Sequence, residues 1–502
     1  MLTGICNQGI CHTLRDKLEE LLWGRSIVNW SWVLLRTLLG ITVLTVLVAS
    51  QGFWYRALWR VTSKWRLSWL RNGVRIGSVV ALVLIVTATA QGFRMGHRGY
   101  LIPDFNLITV LAGLWFSSAA FAYLALKIVR AIDRLWSWSR NCYRARASAA
   151  KIHRRNLSAP LRPNGVQHAM PAPSAFSVSR ESIELLPNPS RRYFFHTASV
   201  VAGAAPFLSA VYGYAAERLN YQVRRVEIPV ANLPSALDGL RLVQLSDIHL
   251  SGYMTREEVR RAVDMANALG ADLTLLTGDY ITGASDPIVD CVDELRQLRA
   301  ALGVWGCNGN HEIYAGAEDQ AQMLFAQAGM KLLRHQNAVL TFRGARLNLI
   351  GVDYQRERSA SGRKLQLLRG VEPLVRSDMP NILLSHNPNT FNRAAELGIE
   401  VSLAGHTHGG QIQVEILDHR LSPARFITDY IAGTYYRPLN MPALNKKALR
   451  DLNNLASNDM PIASHAQPPL SVLYVNSGLG TVGAPVRLGV PPEISLLVLR
   501  RA

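Results

Sequence analysis

Apolar residues fall along this chain in two unlike patterns. In the first 216 residues they form long runs, at 37–54, 76–93, 107–126 and 193–216, and none of these contains Asp, Glu, Lys or Arg. Each run is near the ~20 residues that a helix needs to cross about 30 Å of hydrocarbon. Backbone groups in lipid must pair within their own segment, so four membrane-spanning helices are expected. From Arg225 onward the runs become short and alternate with polar stretches. Strands are expected at 226–230 (an edge strand), 241–245, 272–276, 303–305, 347–352, 381–384, 401–403, 472–475 and 495–499. Helices are expected at 256–269, where Val259, Val263, Ala266 and Leu269 share one side, and at 290–298 and 319–328. Strands interspersed with helices, then less often separated by them, predict a layered α/β domain with two packed sheets behind an all-α transmembrane region.

Charge sharpens the division. The 502 residues are long enough for two or three units, and five cysteines set no disulfide framework. The 49% hydrophobic content excludes wholesale disorder. The net charge of +19 is unevenly placed: residues 1–226 hold 28 Lys or Arg against 8 Asp or Glu, and residues 227–502 hold 26 against 27. A nucleic-acid-binding domain would carry a basic face on a folded unit. Here the basic residues separate apolar runs, so no nucleic-acid partner is expected and the lipid bilayer is. Residues 55–75 carry six basic and no acidic residues, and 130–192 carry twelve and three, whereas 94–106 carry two and one. The positive-inside bias puts the two rich segments in the cytoplasm and both termini outside. The expected organisation is three spans in 1–129, a basic, Pro-containing cytoplasmic linker at 130–192, a fourth span at 193–216 and a folded domain at 225–502 on the outer face of a bacterial inner membrane. Arg191-Arg192 before the fourth span resembles a twin-arginine export signal, which adds the export machinery as an expected partner. The spans hold no acidic or basic residue that would mark an ion path, so anchoring is their simplest role.

The candidate chemistry lies just after the short strands. Asp247 and His249 follow the strand at 241–245, Asp279 follows 272–276, Asn310 and His311 follow 303–305, His386 follows 381–384, and His406 and His408 follow 401–403. Open α/β sheets place their sites at these carboxyl ends. Each piece alone has an ordinary reading: Gly309-Asn310-His311 could be a plain turn. Together they form a set of carboxylate, imidazole and amide-oxygen donors that suits Mn²⁺, Fe or Zn²⁺ better than Ca²⁺. One carboxylate such as Asp279 can bridge two divalent ions, and two ions about 4 Å apart clamp the attacking and leaving oxygens of an in-line displacement.

Asp247-Ile248-His249, Gly278-Asp279, Gly309-Asn310-His311-Glu312, His386 and Gly405-His406-Thr407-His408 resemble the motif series of the calcineurin-like metallophosphoesterases. Gly-His-Thr-His-Gly-Gly-Gln-Ile at 405–412 is closest to the membrane-associated bacterial branch. The resemblance covers roughly residues 225–500 and implies a four-layer αββα sandwich of two packed mixed sheets. It implies one ion held by Asp247, His249, Asp279 and His408, and a second held by Asp279, Asn310, His386 and His406, with Mn²⁺ the leading candidate. His311 resembles the family histidine that contacts the phosphoryl oxygen or protonates the leaving group. No covalent nucleophile is needed, and Cys307 is expected to pack. Four spans exceed what that branch usually shows, and 437–469 reads as an insertion whose entry holds Tyr435 and Tyr436. The implied activity is metal-dependent hydrolysis of phosphate mono- or diesters, with a lipid-linked or envelope phosphate as substrate. The alternatives are a cytoplasm-facing pyrophosphohydrolase of a nucleotide-activated lipid and a catalytically silent membrane scaffold.

Overall fold

The computed structural model describes residues 30–95, 107–157, 189–359, 362–416, 419–426, 428–441 and 469–502. Most of the predicted insertion at 437–469 therefore lies outside the described residues. Among the described residues four long helices come first: Trp30–Thr62, Ser68–Met95, Leu107–Leu157 and Pro189–Ala215. Three stretches among the described residues, Thr37–Thr62, Gly113–Ala147 and Ser190–Leu219, are long and apolar enough to cross a membrane. The remaining predicted run, 76–93, lies in the Ser68–Met95 helix, part of whose side chains fall outside the described residues. Leu34, Leu38, Ile41, Leu44 and Val48 are more than half exposed, the surface that hydrocarbon would cover. The Leu107–Leu157 helix runs on through the first part of the segment read as a linker. Residues 127–157 contain neither Pro nor Gly and are rich in Ala and Arg, so nothing breaks the helix at the membrane surface.

The helices pack on one another through aromatic and polar contacts. The Trp54 indole donates to the Ala119 carbonyl (3.0 Å), and the Trp115 indole donates to Gln51 (2.8 Å). The arginines gather where the Trp30–Thr62 helix ends and the Pro189–Ala215 helix begins. There the Arg75 guanidinium lies 3.6 Å over the Trp59 ring, and Arg191 pairs with Asp133.

Among the described residues that follow, the strands form two six-stranded sheets and a small hairpin. The strands are β1 Gln222–Val230, β2 Arg241–Leu245, β3 Leu273–Leu276, β4 Val304–Gly306, β5 Lys331–Leu332, β6 Gln336–Phe342, β7 Ala345–Gly351, β8 Asn381–Leu384, β9 Val401–Ala404, β10 Val414–Ile416, β11 His419–Leu421, β12 Gly433–Pro438, β13 Leu470–Val475 and β14 Glu493–Arg501. The sheet orders are β1-β14-β2-β3-β4-β5 and β12-β13-β9-β8-β7-β6. Each is mixed: β2 to β5 run parallel with β14 antiparallel to β2, and β7 to β9 run parallel with β6 antiparallel to β7.

Alternate side chains of the central strands serve two cores, which is why these strands read as largely apolar runs. In β2, Leu242 enters the layer between the sheets, where it meets Leu349, Leu384 and Leu403. Val243 and Leu245 face outward, onto the helices Arg256–Ala268, Ile288–Leu295 and Glu318–Gln327 through Val259, Val263, Cys291, Leu295 and Phe325. Leu383 and Ile350 turn to the outer face of the second sheet, where Ala394 of the short Phe391–Glu396 helix covers them. The result is an αββα sandwich.

Strands β6 and β12 escape the sequence pattern because both are sheet edges. β6 is partly exposed throughout, and β12 ends in Pro438, which an edge tolerates.

The membrane helices dock on the sandwich by their ends farthest from the arginines. A β-carbon on Gly213 would overlap the Arg487 carbonyl, and one on Gly113 would lie 3.2 Å from Pro485. About 30 Å of helix separates Gly113 from Arg134, one membrane thickness.

Candidate metal centre

The carboxyl ends of β2, β3, β4, β8 and β9 meet at one end of the sandwich, and every predicted ligand follows closely on one of them, all but Asn310 on a short turn. The turns are sharp. Asp247, His249, Asp279, His406 and His408 all have left-handed backbone, with φ of 50°, 51°, 57°, 75° and 52°. For residues bearing a β-carbon such conformations cost of order 1–3 kcal/mol each and persist only where the surroundings hold them.

The holding contacts are explicit. Asp247 N–H donates to the Gly278 carbonyl (3.0 Å), His249 N–H to the Asp279 carbonyl (3.0 Å) and Gly480 N–H to the Asp247 carbonyl (2.7 Å). Glu312, fully buried, accepts backbone N–H bonds from Asp279 (2.9 Å), Tyr280 (2.7 Å), Ile281 (3.3 Å) and Gly309 (2.8 Å), tying the β3 and β4 turns together. Burial and the neighbouring Asp279 charge push its carboxyl up to about 7.

The structure brings the predicted donors together as three overlapping groups: Asp247, His249 and His408; His249, Asp279 and His311; and Asp279, His386 and His406. Within each group one ligand atom per residue lies within 4.8 Å of the others. Asp279 links the last two. Its Oδ2 is 2.9 Å from His386 Nε2 and 3.6 Å from His249 Nε2, while Asp247 Oδ1 is 3.3 Å from His408 Nε2. Asn310 opens the Asn310–Ala315 helix beside them and is 6% exposed.

The donor chemistry fits divalent cations. His249 Nε2 and Asn310 Oδ1 are buried lone-pair atoms with no hydrogen-bond partner, an arrangement that apolar packing would not leave. His386 Nδ1 lies 2.6 Å from the Thr277 carbonyl; the proton on Nδ1 makes that bond and leaves Nε2 facing Asp279. His249 Nδ1 is held by the Thr282 hydroxyl (3.2 Å) in a similar way. Burial lowers His249 and His408, and burial with the nearby His386 lowers His406 to about 4, so these three imidazoles are neutral ligands at pH 7. Burial works against charge on His386 too, but Asp279 and Asp247 outweigh it and raise this one to about 10. Asp279 is the converse: burial opposes its charge, and the adjacent His386 holds the carboxyl below the usual range.

His311 falls within the second of these groups, although it was expected as a catalytic residue and not as a metal ligand. Its N–H donates to Asp279 Oδ1 (2.9 Å), and its ring Nδ1 meets the Thr282 carbonyl (2.5 Å). Nε2 is thereby left for a substrate oxygen. Cys307 packs in the core, where burial raises its thiol, and it has no access to the site.

Several site residues were not singled out by their sequence. Ser246 donates to Asp247 Oδ2 (2.6 Å), and Thr277 and Thr282 orient imidazoles. Tyr354 places its ring 5.3 Å from that of His406. Ser246 carries a weak signal, directly before Asp-x-His. Tyr354 carries none beyond following a strand-end aspartate.

Comparison with known proteins agrees with this geometry. Residues 240–410 match the family model of the calcineurin-like phosphoesterases. A transmembrane protein with metallophosphoesterase domain from Bos taurus is 30% identical over 294 residues, 56% of this chain and 57% of that one. Its Danio rerio counterpart is 28% identical over 302 residues, 58% of this chain and 60% of that one. The chain thus spans less than two thirds of either. The uncharacterized metallophosphoesterase YkuE of Bacillus subtilis is 25% identical over 321 residues, 62% of this chain and 98% of that protein.

Proposed function

We propose that this chain, which carries a calcineurin-like phosphoesterase domain over residues 240–410, hydrolyses phosphate mono- or diesters presented at a membrane surface. The observation that carries the chemistry is the series of three donor groups, the first two joined at His249 and the last two at Asp279. The residues would hold two divalent cations, Mn²⁺ foremost, with Asp247, His249, Asp279 and His408 on one side and Asp279, Asn310, His386 and His406 on the other. Bound there, the cations would neutralise developing phosphoryl charge and lower the pKa of water. The protein's own part is positional. Left-handed turns fix the ligands before substrate arrives, so little reorganisation remains at the moment of reaction. Water oxygen bonds to phosphorus as the ester P–O bond breaks. His311, its Nδ1–H braced by the Thr282 carbonyl, would in its protonated form pass its Nε2 proton to the departing oxygen, while the attacking water gives up a proton to solvent.

The docked membrane helices support a lipid-linked or envelope substrate. The loop that meets Gly213 and Gly113 also meets the ligand turns: Gln411 donates to the Ala484 carbonyl (2.8 Å), and a β-carbon on Gly480 would lie 2.9 Å from that of His249. An active site one loop away from the bilayer can take a substrate that stays in it. Arginine-rich segments at the opposite helix ends support an extracytoplasmic domain by the positive-inside bias, in the inner membrane of a bacterium. In this reading Arg191-Arg192 also serves the twin-arginine export machinery.

The test is turnover of detergent-solubilised full-length protein on phospholipids, nucleotide-linked lipids and bis(p-nitrophenyl) phosphate. Turnover of a lipid substrate is expected. Activity confined to the soluble diester would remove the lipid reading, and metal-loaded protein inert on all three would favour a silent scaffold. Gly213→Val, which forces the helix off the Arg487 carbonyl, is expected to lower lipid turnover about tenfold more than soluble-diester turnover, through misplacement alone. Equal losses on both would show that docking does not serve substrate access.

A further inference from the structure

One wall of the site is not used by the ligand groups. Tyr314 lies one turn after His311 on the same short helix, 53% exposed, with its ring 6.2 Å from that of His311. Tyr354, from the loop after β7, lies 6.2 Å from Tyr314 and 6.2 Å from His386. Over Tyr314, 4.9 Å from the ring centre, is the guanidinium of Arg356.

Arg356 is a cation held by an aromatic face rather than by an acid. Among the described residues the contact seen for its guanidinium is the Tyr314 ring and not an ion pair, and its neighbour Glu357 is engaged with Asn389. It is exposed, as are Arg358, Arg363, Lys364 and Arg369 around it, against the single acid Glu357 between 354 and 369. This local excess stands out in a half of the chain that is otherwise balanced, with 26 basic and 27 acidic residues. The guanidinium fork matches two phosphate oxygens, and stacking on a ring pre-sets its orientation.

We infer that Arg356, stacked on Tyr314, binds a second anionic group on the leaving-group side of the substrate, so that the site favours a phosphoanhydride diester over a singly charged phosphodiester. The side follows from Tyr314 and His311 sharing one helix turn, His311 being the residue that faces the departing oxygen. The inference rests on the hydrolase reading above and adds the substrate class to it.

The experiment compares wild type, Arg356→Lys and Arg356→Gln, as full-length metal-loaded protein, on ADP-ribose and on bis(p-nitrophenyl) phosphate. Arg356→Gln is expected to raise KM for ADP-ribose tenfold or more relative to its effect on the monoanionic diester, with Arg356→Lys intermediate. Equal changes on both substrates, or none, overturn the inference while leaving the hydrolase reading intact. Wild type inert on both overturns the hydrolase reading instead. Calorimetric binding of ADP-ribose then decides separately: affinity retained in Arg356→Gln overturns the role given to Arg356, and a tenfold loss supports it.

Discussion

Asp279→Asn is expected to reduce turnover by more than ~100-fold, beyond the loss typical of residues that merely orient a metal ligand, while the protein still folds. Among the described residues Asp279 is the only carboxylate shared by two donor groups, and its Oδ2 lies 2.9 Å from His386 Nε2. Asparagine keeps the shape and keeps an oxygen for the His311 N–H, now 2.9 Å from Oδ1. What it loses is the charge that can bridge two cations. The expected signature is therefore a fall in bound metal and in kcat with little change in the thermal unfolding midpoint. Removing metal from the wild type with a chelator should abolish turnover reversibly. Wild-type turnover in Asp279→Asn would refute the bridging role.

Gly309→Ala is expected to lower metal affinity about 10- to 100-fold without touching a ligand. The backbone at Gly309, with φ of −91°, suits alanine, so the obstacle is space alone. A β-carbon there would overlap Asp279 Oδ1 and lie 2.5 Å from the Asp279 nitrogen. The carboxylate must move, and with it the geometry of both donor groups. Metal stoichiometry and kcat/KM on a soluble diester check this; full metal occupancy with unchanged kcat/KM would show that the turn has slack.

How much of this was legible in the sequence depended on burial. β2 and β8 have the bounds that their short runs predict, 241–245 and 381–384, because both faces of each strand are covered and the polar Gln244 within β2 is itself buried. β6 and β12, lying at sheet edges, have no such run. The candidate ligands were legible because each follows directly on a strand, and Asp-x-His and Gly-His-x-His keep their donors adjacent in the chain.

The role of Glu312 was hidden. It was read only as the end of a motif, yet it collects four backbone N–H groups from two different turns. Arg356 was hidden in the same way, since the loop after β7 reaches a helix that follows β4.

The sequence by itself determined the division of the chain: uncharged runs with basic flanks, then a sandwich with its donors at strand ends. These are local properties, set by solvent and by the strand period. The tertiary structure decided which donors share a space, which turns carry strain and where the membrane helices dock. Those depend on contacts between distant segments, such as Asp247 accepting the His406 N–H at 3.0 Å and Gly213 meeting Arg487. No local pattern encodes such a pairing, because each partner would look the same in sequence whether or not the fold brought the other to it.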